Sequence, residues 1–226
     1  MVFYKHYSFD LWLTLIKSNP LYKQERTTYF YNKFNTKDKH IDEIAVAFRK
    51  VDLMVNAINE KTGKNVDADE MCLMVIAMIN DYAFPFNEID LVQLDHEMEE
   101  LALSHLPVLY GDECIDVLAE IKSTGLSSTN ILSNTGFIKG KTLRKILNHL
   151  KLDQYLDFQL YSDEEGLDVS HVGIIIRTED MIYIRHASSR SNARKVIDED
   201  FMGYIANKPG VIILRPNQIS SQEGGL

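Results

Sequence analysis

The sequence predicts an α/β protein in which a parallel sheet is interrupted by a helical insertion and followed by a small β-rich tail. Two apolar segments each end in polar residues before a turn, at Asp10 and at Ser133–Asn134. Residues 19–105 between them have the apolar spacing of helices. The chain after residue 166 contains short β-rich runs of a different character.

The first predicted strand is the segment YSFDLWLTL at residues 7–15, which places Asp10 at the end of an apolar run. Polar groups at the carboxyl ends of parallel strands face the crevice where ligands bind in open α/β folds. A carboxylate there can act as a nucleophile or as a metal ligand. The alternative is a strand-end aspartate that only caps the following turn.

The second predicted strand lies in TNILSNTG at residues 129–136 and ends in Ser133 and Asn134. It is followed by the helix-like stretch KGKTLRKILNHL, so the order strand, polar residue, turn, helix is repeated. The alternative is an ordinary turn with helix-capping residues. A further short strand is predicted at residues 157–161.

The segment between these strands is predicted to be helical. One apolar face follows the i, i+3, i+4, i+7 spacing, and a second such stretch runs from Ala68 to about Tyr82. The residues of the first face are Ile41, Ile44, Ala45, Phe48, Val51, Val55 and Ile58. Residues 106–125 are predicted to return the chain to the α/β part through a turn and one helix.

These motifs resemble those of the haloacid dehalogenase (HAD) superfamily of hydrolases. The spacing D-x-W-x-T-L at Asp10 resembles motif one, Ser133–Asn134 resembles motif two, and the helical insertion resembles the cap that closes over small substrates. The resemblance covers about residues 3–165. It implies a Rossmann-like HAD core at 1–18 and 106–165 with a helical cap at 19–105, before a β-rich C-terminal segment at 166–226.

The resemblance also implies a catalytic site. Asp10 would form a covalent intermediate and would also be a ligand of Mg²⁺. The Ser133 hydroxyl, together with the backbone amide of Leu11 or Trp12, would hold the developing charge. Thr14 and Asn134 complete the predicted site.

Trp12 narrows the chemistry that the resemblance implies. Phosphatases of the superfamily carry a second aspartate two residues after the nucleophile, as general acid, whereas dehalogenase-type members carry an aromatic residue. An indole cannot protonate an alkoxide at neutral pH, so Trp12 argues against hydrolysis of alkyl phosphates. Halide and acyl-phosphate leaving groups need no such proton.

Two expected motifs of the superfamily are missing. After FQLYSDEEG, a lysine followed by proline and a later acidic strand end are expected, and the chain instead continues from Gly166 to His171 without either. The Lys-Pro pair at Lys208–Pro209 lies far downstream. The charge-neutralising lysine and the acidic part of the magnesium site are therefore not evident.

The tail resembles a different family. The run HVGIIIRTEDMIYIRHASS predicts two strands joined in a hairpin by a turn at Thr178–Asp180, and the continuation predicts a strand, a helix capped near Asp198 and a final strand that ends at Arg215–Pro216. This pattern is similar to the second half of papain-like (NlpC-type) N-acetylmuramoyl-alanine amidases.

That resemblance implies that His171 acts as base for a cysteine nucleophile and that His186 orients His171. The chain has only Cys72 and Cys114, both within helical patterns, and we interpret both as structural.

Composition narrows the function classes. A formal net charge of -9 without long runs of Lys and Arg argues against nucleic-acid binding. No stretch approaches 18 uninterrupted apolar residues, so no membrane span is expected. Two cysteines without framework spacing favour a reducing compartment. We expect a cytoplasmic protein with a small-molecule substrate.

The sequence thus favours a HAD-like hydrolase of the dehalogenase or acyl-phosphate type, with activity in doubt because two motifs are missing. One alternative is a catalytically inactive binding protein, or a chimeric protein joined near Gly166. The other is a fragment of a cysteine-type cell-wall amidase.

Overall fold

The computed structural model describes residues 5–164, 173–187, 196–206 and 208. Its described part is a mixed α/β structure with a parallel sheet, a helical insertion and a separate antiparallel sheet near the C-terminus. The strands are β1 (His6–Phe9), β2 (Ile16–Lys17), β3 (Val108–Leu109), β4 (Ser128–Ser133), β5 (Phe158–Tyr161), β6 (Ile174–Arg177), β7 (Ile182–Ala187) and β8 (Val196–Asp200). The α-helices are α1 (Pro20–Phe34), α2 (Ile41–Thr62), α3 (Ala68–Ile79), α4 (Leu91–Ser104), α5 (Cys114–Ser123), α6 (Gly140–His149) and α7 (Phe201–Ile205).

The parallel sheet has the strand order β1-β4-β5. Phe9 pairs with Ile131, and Ser133 pairs with Tyr161, so the three strands end at one edge. The strand predicted at 157–161 is present as β5. Because parallel strands bring their carboxyl ends together, Asp10 and Ser133 lie at the same edge of the sheet.

The helical insertion begins and ends at one short antiparallel pair. β2 pairs with β3, with Ile16 opposite Leu109 and Lys17 opposite Val108. The amide of Tyr110 also donates to the carbonyl of Leu15 at 2.9 Å. The chain therefore leaves the α/β part and returns to it through adjacent residues.

Capping residues determine where several helices of the insertion begin and end. Pro20 is the first residue of α1, after the N-cap Asn19, and capping boxes start α2 and α3. Gly63 ends α2 with a left-handed φ of 76°, a conformation that favours glycine. Met71 is buried, as expected of a packing residue. The insertion's apolar cluster consists of Phe30, Phe34, Ile44, Ala47, Phe48, Val51, Val55, Met71, Cys72, Val75, Ile76, Ile79, Leu94 and Met98.

A second apolar cluster joins the sheet to α1, α4, α5 and α6. Gly140, the first residue of α6, lies so close to β5 that an added Cβ would approach the Cβ of Tyr161 to 2.7 Å. Only a glycine allows this approach. The second cluster consists of Leu11, Leu15, Ile16, Tyr22, Ala102, Leu118, Ile131, Leu143, Ile146, Leu147, Leu152 and Tyr161.

The C-terminal sheet has the order β6-β7-β8 and is antiparallel. The hairpin predicted around Thr178–Asp180 is present between β6 and β7. The helix expected to be capped near Asp198 is instead capped by Asp200, whose carboxylate accepts from the Gly203 amide at 2.6 Å. Asp198 lies within β8 and pairs with Arg185, because the strand continues two residues further than the sequence suggested. The final strand predicted up to Arg215–Pro216 lies outside the described residues.

No helix in the described part of the chain is long and apolar enough to cross a membrane.

Candidate functional site at the end of the parallel sheet

Asp10 follows β1 directly and is held at the sheet edge by a tight turn. The amides of Leu15 and Ile16 donate to the Leu11 carbonyl at 3.0 and 3.1 Å, and the Leu13 amide donates to the Ile16 carbonyl at 2.8 Å. The buried side chains of Leu11, Leu15 and Ile16 anchor this turn in the second apolar cluster. The turn therefore fixes where the carboxylate lies.

Leu13 adopts a left-handed conformation, with φ of 60°. An L-residue meets steric strain there, whereas a glycine does not. The side chain is 53% exposed, so little apolar burial compensates for this strain. The tight geometry of the turn is thus kept at a cost in backbone energy.

Burial raises the pKa of Asp10 to about 6. The Leu11 amide, which donates to Oδ1 at 2.7 Å, and a hydrogen bond from the Ser133 side chain lower the pKa only in part. At neutral pH the carboxylate is therefore ionised but poorly solvated. A poorly solvated carboxylate is a stronger nucleophile than a hydrated one, so the environment suits covalent catalysis.

The backbone amides predicted to stabilise charge at this site are not equivalent. The Leu11 amide is engaged by Asp10 itself, so it does not serve a substrate oxygen in this arrangement. Of the two amides that the sequence suggested, the Trp12 amide remains the candidate.

Ser133 and Asn134 lie at the end of β4, as the strand-turn pattern indicated. Ser133 is buried, and its hydroxyl lies 3.2 Å from the Asn134 carbonyl oxygen. The Ser133 carbonyl accepts from the Ser162 amide at 3.1 Å, which joins the ends of β4 and β5. The structure thus brings the Ser133 side chain near enough to Asp10 to lower the pKa of that carboxyl, while Asn134 begins the loop that follows.

Trp12 and Thr14 lie in the turn after Asp10. The Trp12 side chain is half-buried and packs against the second apolar cluster. The Thr14 carbonyl lies 3.8 Å from the Sγ of Cys114, which donates a weak hydrogen bond to it. These contacts indicate that Trp12 and Thr14 stabilise the turn. The catalytic role predicted for each of them stays a prediction.

Three residues that the sequence analysis did not single out also meet at this edge. Ser162, which follows β5, accepts from the Thr135 amide at 2.9 Å and donates to Asn65 Oδ1 at 3.0 Å. Asn65 comes from the loop between α2 and α3, so the insertion reaches the strand ends directly. No local pattern could have revealed this contact, because 97 residues separate Asn65 from Ser162.

Ionic contacts also join the insertion to α6. Lys139 lies 2.7 Å from Asp69 on α3 and 2.9 Å from Asp95 on α4. Lys141 pairs with Asp95 and Lys145 pairs with Glu99. Although burial alone would lower it, the pKa of Lys139 is raised by the two carboxylates. These pairs hold the insertion against the α/β part.

No cluster of metal-binding side chains surrounds Asp10 among the described residues. Mg²⁺ prefers several oxygen ligands in octahedral geometry, commonly including carboxylates. Within residues 5–164 and the described parts of the tail, no group of three or more His, Cys, Asp or Glu is placed to hold a metal ion. Asp163 and Glu164, which follow β5, bond instead to the Gly140 amide and to Arg144. We therefore assign no chemical step to a metal.

The predicted amidase residues fall into two groups. His171 lies outside the described residues. His186 on β7 is buried, with Nε2 3.9 Å from Glu199 Oε1 and its ring 4.9 Å from that of Tyr204. Burial raises the pKa of Cys72 to about 12, so this thiol stays protonated and is not a nucleophile.

The geometry defines an α/β protein with a desolvated aspartate at a strand end and a helical insertion that contacts the strand ends. Its fold resembles that of the putative HAD-hydrolase YfnB from Bacillus subtilis, bound to magnesium, with a TM-score of 0.51 at 14% identity. That alignment covers 74% of this chain and 68% of YfnB. The similarity shows that the α/β part has the fold of HAD-superfamily hydrolases.

Two further solved structures are similar at lower scores. The L-2-haloacid dehalogenase from Xanthobacter autotrophicus, with chloropropionic acid covalently bound, has a TM-score of 0.43 at 15% identity, covering 71% of this chain and 57% of that one. A predicted phosphoglycolate phosphatase from Haemophilus somnus 129PT has a TM-score of 0.41 at 16% identity. That alignment covers 74% of this chain and 66% of the phosphatase. No curated protein matches the chain.

A family model described as N-acetylmuramoyl-L-alanine amidase-like (AmiA-like) matches residues 111–211. The match includes the tail that resembles NlpC-type amidases. It also extends upstream over α5, β4, α6 and β5, which the sequence analysis assigned to the HAD-like core. The matched range therefore crosses Gly166, the position where the two resemblances meet.

Proposed function

We propose that the protein is a HAD-type hydrolase that uses Asp10 as a nucleophile on a small substrate with a leaving group that needs no proton. The observation that carries the proposal is the Asp10 carboxylate at the carboxyl end of the sheet, which is desolvated by burial and accepts a hydrogen bond from the Leu11 amide at 2.7 Å. Of the two backbone amides next to Asp10 that the sequence suggested, the Trp12 amide is the candidate donor for a substrate oxygen. Halogenated acids and acyl phosphates both meet this requirement.

The reaction of a halogenated acid would take two steps. A carboxylate oxygen of Asp10 attacks the carbon that bears the halogen, and the halide leaves with the bonding electron pair. Water then adds to the carbonyl carbon of the resulting Asp10 ester, which releases the hydroxy acid, restores the carboxylate and frees one proton to solvent. With an acyl phosphate, Asp10 would attack phosphorus and the acid would leave as a carboxylate.

The first test compares turnover of 2-chloropropionate and of acetyl phosphate by the unmodified protein and by Asp10→Asn. We expect Asp10→Asn to lower the rate about 10³-fold or more, because the amide is not a nucleophile. Asp116→Asn, on the exposed face of α5, is the matched control and is expected to retain full activity. Equal rates in Asp10→Asn and the unmodified protein would overturn the proposal.

A single turnover in H₂¹⁸O tests the covalent step itself. With an aspartyl ester, the first hydroxy acid released carries ¹⁶O from Asp10, and the peptide that contains Asp10 becomes heavier by the ¹⁸O label. Direct attack of water on the substrate would place ¹⁸O in the first product and leave the peptide unlabelled. That second result would exclude Asp10 as the nucleophile.

The family match favours a second candidate, an amidase that acts on N-acetylmuramoyl-L-alanine bonds, for which the resemblance of the tail to NlpC-type amidases implies a cysteine nucleophile. Of the two cysteines, only Cys114 lies within the matched residues 111–211, and it is the first residue of α5 and half-buried. His186 lies within the same range. Alkylation with iodoacetamide, followed by peptide mapping, tests this candidate: a Cys114 that is inert in the native protein argues against it.

A further inference from the structure

The two outer strands of the parallel sheet differ in how their free sides are covered. The sheet ends with β1 on one side and with β5 on the other. On β5, the guanidinium of Arg144 donates to the Gln159 carbonyl at 3.0 and 3.2 Å. The Tyr161 amide donates to the Glu164 carboxylate at 3.3 Å. Side chains of the same chain thus occupy backbone groups of β5 that face away from β4, and this hinders pairing with a further strand.

The side of β1 that faces away from β4 has no such cover among the described residues. The Ser128 amide donates to the Lys5 carbonyl at 2.9 Å, so the backbone groups of Lys5 face β4. Because backbone groups alternate between the two sides of a strand, those of His6 and Ser8 face the opposite way. No described residue bonds to these amides and carbonyls, and the Ser8 side chain is exposed. We call this side, formed by His6 and Ser8, the open side of β1.

The open side of β1 is suited to a strand as its partner. Unpaired amides and carbonyls at the side of a sheet bind an added strand, and proteins usually prevent this with proline, lysine or a bulge. The outward positions His6 and Ser8 have none of these features. The open side therefore fits a partner in the extended conformation.

The sequence of β1 is complementary to itself in one antiparallel arrangement. A two-fold axis beside Ser8 pairs its amide and carbonyl with those of the same residue in a second copy. The same axis places Tyr7 opposite the partner's Phe9, and His6 opposite the partner's Asp10. Tyr7 and Phe9 stack within one chain, with ring centres 6.4 Å apart, so the pairing extends a row of aromatic rings.

The contact between His6 and the partner's Asp10 joins groups of complementary charge. The ring nitrogens of His6 lie 2.7 Å from Ser128 Oγ and 2.8 Å from Asn130 Oδ1. Both nitrogens can donate to these oxygens when the imidazole is protonated, so the positive form is accommodated. A positively charged ring across from a carboxylate is a favourable cross-strand pair. The two-fold axis creates this pair twice.

We propose that two copies of the protein associate through the open side of β1, which joins their parallel sheets into one continuous sheet. Asp10 is two residues from Ser8, so each candidate site would lie beside the dimer axis. The paired strand has only 4 residues, and such a small interface gives weak, concentration-dependent association. The proposal concerns assembly and does not rest on the proposed function.

Sedimentation equilibrium between about 10 µM and 1 mM tests the proposal, because this range suits the dissociation constant of a small interface. We expect the unmodified protein to dimerise reversibly and Ser8→Pro to raise the dissociation constant about tenfold or more. Proline at this position removes an outward amide and leaves the pairing with β4 intact, as edge strands allow. Gln159→Pro, the matched control on the outward side of β5, should dimerise like the unmodified protein.

Two further variants decide the matter if circular dichroism shows that Ser8→Pro does not fold. Ser8→Lys places like charges at the axis and should weaken the dimer, less so in 1 M NaCl. Ser8→Cys in a Cys114→Ser background should form an intermolecular disulfide under mild oxidation, because residues of a hydrogen-bonded pair have Cα atoms about 5.5 Å apart. Ser104→Cys, at an exposed serine of α4, is the matched control and should stay reduced in that background.

The opposite results overturn the proposal. A protein that is monomeric throughout the concentration range does not pair through β1. A dimer that neither Ser8→Pro nor Ser8→Lys weakens uses another surface, and equal cross-linking of Ser104→Cys and Ser8→Cys contradicts the two-fold axis beside Ser8. The proposed function fails separately: a dimer without turnover keeps this interface, whereas turnover by a monomer keeps only the catalytic proposal.

Discussion

The α/β part with its insertion and the C-terminal sheet both contain a buried titratable group, but their surroundings differ. Asp10 is flanked by Leu11, a fully buried member of the second apolar cluster, and by Phe9, which packs against that cluster. His186 lies in a small sheet, and in the described part of the tail only Ile184 on β7 and Phe201 on α7 are buried apolar residues. Several apolar side chains of this region are well exposed, among them Ile174 on β6, Val196 on β8 and Met202 on α7.

This difference indicates which part of the chain can hold a reactive side chain in a fixed position. Catalytic groups need neighbours whose own positions are fixed by packing and hydrogen bonds. The turn around Asp10 has such neighbours, since Leu11, Leu15 and Ile16 are nearly inaccessible to solvent. The described strands of the tail bury too little surface to fix His186 equally well. This contrast is why we place the proposed chemistry at Asp10.

The largest effect is expected from truncating the core of the α/β part. Leu143→Ala removes a fully buried side chain from α6 and should lower the free energy of unfolding by about 2–5 kcal/mol. Val196→Ala, at a side chain 62% exposed in the tail, should cost less than about 0.5 kcal/mol. Urea denaturation measures the free energy of unfolding of both variants. Similar decreases in the two would contradict the difference in packing between the α/β part and the tail.

The next effect concerns the charge of Asp10. Its folded-state pKa is raised from 3.8 to about 6, so the stability linked to its protonation is present below pH 3.8 and is lost as pH rises through 6. Asp10→Asn should therefore stabilise the fold at pH 7.5, by about 2–3 kcal/mol. The gain should shrink as the pH is lowered towards 4, while Asp116→Asn shows no such trend. A pH-independent difference would contradict the desolvation of Asp10.

A smaller effect is expected from the ionic contacts of the insertion. Lys139→Met leaves Asp69 without its cation and should lower the free energy of unfolding by about 1–2 kcal/mol at low salt, less at 1 M NaCl. Arg185→Met removes the exposed pair with Asp198 in the tail and should leave the Tm unchanged. Thermal denaturation at two salt concentrations checks both. Equal sensitivity of the two variants would remove this distinction between the regions.

The smallest effect is a gain in stability at the turn after Asp10. Leu13→Gly relieves the left-handed conformation at an exposed position and should raise the free energy of unfolding by about 0.5 kcal/mol. Leu53→Gly, at a similarly exposed position in the middle of α2, should lower it, because a helix interior disfavours glycine. A lower free energy of unfolding in both variants would show that the Leu13 side chain contributes more to stability than its exposure suggests.

Much of the fold was predictable because its signals are local. The apolar runs that end in Asp10 and Ser133 identified two strands of the parallel sheet, and the helical spacing from Ile41 to Ile58 corresponds to most of α2. These patterns reflect which side chains face the core, and a few adjacent residues are enough to reveal them.

The remainder depended on contacts that no local pattern encodes. Ser162 follows its strand like many turn residues, and only the packing of the insertion brings Asn65 to it. Arg26 sits in a helix where an exposed arginine would look the same, and its burial results from Phe48 and Phe137 of other elements. The β2–β3 pair was also missed, since each strand has only two residues.

That two-residue pair has a consequence for the modularity of the chain. Lys17 and Val108 are paired with each other in two antiparallel strands. Residues 18–107 are therefore one long connection between the two strands of a hairpin. Excising residues 18–107 and joining the ends with Asn-Gly would leave strands already in register for a tight turn. The junction is therefore a natural graft point, through which insertions of different length could be exchanged without altering the sheet that presents Asp10.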